Sequence, residues 1–109
     1  MKEKYKFAKC KTFKDLKEGQ TIYKIERSDP DKHIPVIIEK IEKSGMYYGS
    51  NGLYIKFSDG KDVYTESNSS WMWAGYGDRK GTISFDIVYS VSTENDDTKI
   101  YRDYWETYK

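Results

Sequence analysis

Along most of this chain, apolar and polar residues alternate with the period of two expected of strands that keep one face wet. Ile83, Phe85, Ile87, Tyr89 and Val91 alternate strictly with Ser84, Asp86, Val88 and Ser90, the best strand in the sequence. Lys4 to Lys9 sets lysines against larger groups, which reads as a short strand suited to a sheet edge. Thr12 to Gln20 differs: Phe13 and Leu16 stand three apart and Gly19 ends the segment, so it reads as one helical turn feeding a strand from Gln20 to Arg27.

Ser28-Asp29-Pro30-Asp31 carries turn chemistry, because proline fixes φ and the aspartates bond nearby amides. The stretch 34–43 admits two readings. Ile34, Ile37, Ile38 and Ile41 have helical spacing, yet Val36-Ile37-Ile38 is β-branched and lies between strands, which favours a strand. Ser44-Gly45 and Ser50-Asn51-Gly52 bracket Met46-Tyr47-Tyr48 as turns. Asp59-Gly60 between Tyr54-Ile55-Lys56-Phe57 and Val63-Tyr64-Thr65 predicts a hairpin with a type I′ turn.

A polar loop, Glu66 to Ser70, leads into Trp71-Met72-Trp73-Ala74-Gly75-Tyr76, and Gly77-Asp78-Arg79-Lys80-Gly81 turns the chain back. After a polar break at Thr93 to Asp97, residues 98–108 read as a short amphipathic helix, since Ile100, Tyr101, Tyr104, Trp105 and Tyr108 recur at helical spacing; a final strand is the other reading. The expected fold is mainly β: one domain over residues 1–109, a small SH3-like or OB-like barrel of five to six antiparallel strands, with that helix at the end.

Composition sharpens this picture. Aromatic residues make up 17% of the 109 residues, eleven of them tyrosine, so rings rather than aliphatic side chains must supply much of the core. Tyrosine buries a ring while keeping its hydroxyl wet, which lets one residue type serve as both core and recognition surface. The formal net charge is only +1, which argues against a DNA mimic or a histone-like binder. Locally, residues 2–17 hold seven lysines against Glu3 and Asp15.

Cys10 and His33 are each the sole residue of their kind. That excludes an internal disulfide and a cysteine-based zinc site, and with no apolar leader at Met1 to Lys6 it leads us to expect a cytoplasmic protein. Nucleophilic catalysis needs a base beside its nucleophile, so no catalytic residue, metal or cofactor is expected. His33 near Asp31 reads as a solvated loop residue. The aspartates at 29, 31, 59, 62, 96 and 97 sit in or beside turns and are explained by turn chemistry. Gly75-Tyr76-Gly77 lacks the lysine and the helix that a phosphate loop requires.

Thr12-Phe13-Lys14-Asp15-Leu16-Lys17-Glu18-Gly19-Gln20-Thr21-Ile22-Tyr23 is a Phe-x-Asp-Leu-x-x-Gly turn feeding a Thr-Ile-Tyr strand. It resembles the opening of small SH3-like barrel proteins of phages and other mobile elements of low-GC bacteria. That resemblance implies the barrel, a mobile-element origin and a role in binding and blocking another protein, such as a host-defence protein or a nuclease. The long Trp-bearing hairpin from Ser70 to Ser92 departs from the pattern.

The candidate binding residues are therefore aromatic and basic: Tyr47, Tyr48, Trp71, Trp73, Tyr76, Arg79 and Lys80. On a strand, Trp71 and Trp73 share one face and Met72, Ala74 and Tyr76 the other; either one aromatic ridge is left to meet a partner, or both tryptophans fill the small core. The leading expectation is a non-catalytic protein that docks on and modulates or inhibits a protein partner, with no membrane involved. The alternatives are a single-stranded nucleic-acid binder, its N-terminal lysines tracking phosphates, and a small carboxylate-based hydrolase.

Overall fold

The computed structural model describes residues 6–74, 86–92 and 98–107. Its strands are β1 (Thr21–Glu26), β2 (Asp29–Lys43), β3 (Gly52–Phe57), β4 (Asp62–Glu66), β5 (Trp71–Ala74) and β6 (Ile87–Ser90), followed by helix α1 (Thr98–Thr107). The stretch with two readings is thus a strand, and the C-terminal one a helix. All strand pairs are antiparallel, in the order β4-β3-β2-β1-β6-β5.

β2 sets the curvature. Its first part, through Ile37, pairs with β1, and its second part, from Ile38, pairs with β3; the register slips between Ile38 and Lys40. A bulge there bends the strand, so one long strand serves two halves of a curling sheet. Pro35 is tolerated because it lies where β2 is paired to β1 alone. The sheet curls into a nearly closed, six-stranded barrel, the small SH3-like or OB-like architecture.

Inside sit Ile22, Val36, Ile38, Ile55, Phe57, Val63, Tyr89 and Val91, all buried. One end is plugged by a 3-10 turn at Phe13–Asp15, whose Phe13 and Leu16 are buried in the same core. Phe13 N–H donates to Ser69 O and Lys14 N–H to Ser67 O, both at 2.9 Å, which ties this plug to the β4–β5 turn. Ahead of it, Ala8 N–H and Thr21 O, and Thr21 N–H and Lys6 O, hold the N-terminal segment beside β1 as a single bridge at Phe7.

The other end is closed by the β3–β4 hairpin. Its loop differs from the expected two-residue turn: Phe57 N–H donates to Lys61 O and Gly60 N–H to Phe57 O, so Ser58-Asp59-Gly60 form a three-residue loop. Gly60 takes the left-handed conformation here, with φ +87°, as in the bulged arrangement that three-residue loops favour. The longer loop carries Asp59 across the barrel mouth, where Oδ2 accepts the Tyr89 hydroxyl at 2.6 Å and lies 3.3 Å from Lys24 Nζ. Beneath it the Phe57 and Tyr89 rings stack at 3.9 Å, inclined by only 7°.

A second layer covers the outer face of β1, β6 and β5. Ile25 and Val88 point outward and meet Tyr101 and Trp105 of α1, with Trp71, Trp73 and Tyr104 packed alongside. Arg102 pins the helix by donating to Pro30 O at 2.9 Å and Asp31 Oδ1 at 3.1 Å. Ile100, expected on the apolar face, is 57% exposed.

Burial works to raise the Asp59 pKa, but the Tyr89 hydroxyl, the Lys61 amide and the Lys24 ammonium outweigh it and hold the carboxyl below its usual range. Because the folded value lies below the unfolded one, Asp59 stabilises the fold above the ordinary carboxylate range, and that contribution fades as pH falls below about 4. Asp59→Asn should therefore unfold about 1–2 kcal/mol more easily than wild type at pH 6. In urea titrations repeated from pH 6 to pH 3, that difference should shrink; a gap independent of pH would assign the loss to something other than the carboxylate.

Candidate functional site

The barrel is not sealed. β4 and β5 are joined by the Ser67–Ser70 turn, yet they stand at opposite ends of the sheet order, and among the described residues no ladder pairs them. The seam between them forms a concavity of about 510 Å³ lined by Tyr47, Tyr48, Asp62, Tyr64, Met72 and Trp73.

Each wall has a local cause. Along β4, Val63 and Thr65 turn into the core, so Asp62, Tyr64 and Glu66 face outward by the alternation of a strand. The β3–β4 register sets Tyr54 opposite Tyr64, and their rings meet at 5.1 Å. Asp62, two residues along on the same face, accepts the Tyr54 hydroxyl at 3.0 Å, and that hydrogen bond pushes the Tyr54 pKa up. Tyr47 packs edge-on against Tyr64, with centroids 5.1 Å apart and planes at 69°.

The loop that carries Tyr47 and Tyr48 is pinched at its base, where Ser44 N–H donates to Gly52 O at 3.0 Å. A Cβ on Gly52 would lie 2.1 Å from Ser44 O, so only glycine lets the two backbones come this close. At the loop's crest Met46 and Tyr47 are 65% and 66% exposed, and Tyr48 38%.

On β5 both faces are covered. Ala74 and Met72 pack on the barrel core, while Trp71 and Trp73 lie under α1. Trp73 sits 5.2 Å from the Trp71 and Tyr104 rings and 5.7 Å from Trp105. In place of either a free ridge or a position in the barrel core, both tryptophans pack beneath the helix and are half-buried. Trp71, Met72 and Trp73 also line a smaller groove with Lys11, Thr12 and Ser69. Tyr76, Arg79 and Lys80 lie outside the described residues.

Other sequence candidates separate from this site. Asp31 pairs with Arg102, and His33 stands edge-on to Tyr23. Burial pushes the Cys10 thiol up, with the Asp15 carboxylate acting in the same direction. Tyr64 and Met72 were not among the sequence candidates, and the sequence assigns Asp62 to turn chemistry; the signal that places Asp62 and Tyr64 in this wall is the hairpin register, which aligns Tyr54, Tyr64 and Asp62 on one face. Among the described residues, no helix is long and apolar enough to cross a membrane.

No family model, curated protein or solved structure matches this chain.

If the pinch at Gly52 shapes this wall, Gly52→Ala should cost about 1–3 kcal/mol in denaturant unfolding. It should also shift the ring signals of Tyr47 and Tyr48 in NMR spectra, and unchanged stability and ring shifts would remove Gly52 from the account.

Proposed function

We propose that this chain is a non-catalytic binding protein that docks on a protein partner through the seam and its tyrosine loop, and so modulates or inhibits that partner. The observation that carries this reading is the exposure of Met46 and Tyr47 beside an aromatic concavity, whereas Phe13, Phe57, Tyr89, Tyr101 and Trp105 are buried in two packed layers. Aromatic residues and methionine are enriched at the cores of protein interfaces, and a rigid ring loses little entropy on docking. The resemblance of residues 12–23 to phage and mobile-element barrels favours a blocking role in a cytoplasm, with a host-defence protein or a nuclease as the target class.

A second reading has its own support. Lys11 shares a groove with Trp71 and Trp73, and Lys9, Lys11, Lys14 and Lys17 line an adjoining concavity with Phe7, an arrangement suited to single-stranded nucleic acid. Affinity for an oligonucleotide would then fall steeply with salt, and no binding at low salt removes this reading.

For the protein partner, the purified chain is used as bait against extracts of candidate hosts. Wild type should retain a specific protein, and a variant with Met46, Tyr47 and Tyr48 changed to serine should lose at least about tenfold in affinity, the equivalent of one modest hot spot. Equal retention by this variant, with its fold intact by circular dichroism, would refute docking at the seam.

A further inference from the structure

The seam pocket has a charge left over. Asp62 accepts one hydrogen bond, from Tyr54, and takes part in no ion pair among the described residues. Lys56 stands opposite it in the ladder, but is exposed and makes no ion pair with it. A carboxylate oxygen accepts more than one hydrogen bond, so acceptor capacity remains on a group that is itself half-buried. Around it lie Tyr47, Tyr48 and Tyr64, whose ring faces attract cations, with Met72 and Trp73 on the β5 side. The volume, about 510 Å³, falls in the range of small-ligand sites.

We propose that this pocket receives an arginine side chain of the protein partner, its guanidinium lying against the tyrosine rings and donating to the Asp62 carboxylate. This rests on the docking role argued above and specifies its chemistry. Guanidinium fits better than ammonium: it is planar and weakly hydrated, stacks on rings while donating in its own plane, and matches a carboxylate with two parallel donors. Tyr54 has a positioning role, since its hydroxyl fixes one Asp62 oxygen and leaves the other to the ligand.

The test is an NMR titration of the full chain with the capped tripeptide glycyl-arginyl-glycine amide, beside its citrulline and lysine analogues. The arginine peptide should give saturable shifts at Tyr47, Tyr48, Asp62 and Tyr64, and the isosteric but uncharged citrulline peptide none. Asp62→Asn, which can still accept from Tyr54, should weaken the arginine peptide about tenfold, the effect of losing one charge-assisted hydrogen bond. Tyr47→Ala, at an exposed position, should weaken it severalfold without disturbing the fold. No saturable response, equal response to citrulline or lysine, or an unaffected Asp62→Asn would overturn the proposal. The docking role fails separately. If Asp62→Asn captures a protein partner as well as wild type does, the arginine site falls and docking stands. If the peptide binds but no protein is captured, docking falls and the guanidinium site stands.

Discussion

The fold depends on joining strands that are not neighbours. In the order β4-β3-β2-β1-β6-β5, β3 and β6 are separated by two strands, yet Phe57 and Tyr89 stack face to face across the interior. Above that stack, Asp59 holds the Tyr89 hydroxyl and the Lys24 ammonium together. A curled sheet with one such cross-link at its mouth has its diameter fixed. Burial and the Asp59 carboxylate also push the Tyr89 hydroxyl well above the ordinary phenol range, so it stays a donor at any physiological pH.

The seam follows from the same closure. The hairpin swings toward β6 and carries β4 toward β5, while the Phe13 plug fixes the turn between them at the other end. The two strands therefore diverge from a common turn, and the space between them is walled by whatever β4 turns outward. Because strand alternation sends Val63 and Thr65 inward, the outward residues are Asp62 and Tyr64. A domain of this size has few side chains to spare, and here the core and the wall of the seam are two faces of one hairpin.

Much of this was legible in the sequence. The period-two runs gave the strands around Ile22, Ile55 and Tyr89, and the Ile100 to Tyr108 spacing gave the helix as one of its two readings. Residues 34–43 were ambiguous because isoleucines at helical spacing mimic a helix; β-branching at 36–38 and pairing on both sides decided for a strand. At Asp59 the sequence predicts too short a turn, since Asp-Gly favours a two-residue turn locally, whereas the contacts of Asp59 with Tyr89 and Lys24 are thirty or more residues away in sequence. The tyrosine loop was visible as Tyr47-Tyr48 between turn signals. The position of Trp71 and Trp73 was not, because which face of β5 is free depends on where a helix thirty residues later comes to rest.

The most direct measurement is a double-mutant cycle on Asp59→Asn and Tyr89→Phe, read by denaturant unfolding at neutral pH. If these groups close the barrel together, the losses will couple by about 1 kcal/mol or more, well beyond the ~0.3–0.5 kcal/mol scatter of independent sites. Losses that simply add would contradict the closure on which the seam and its pocket depend.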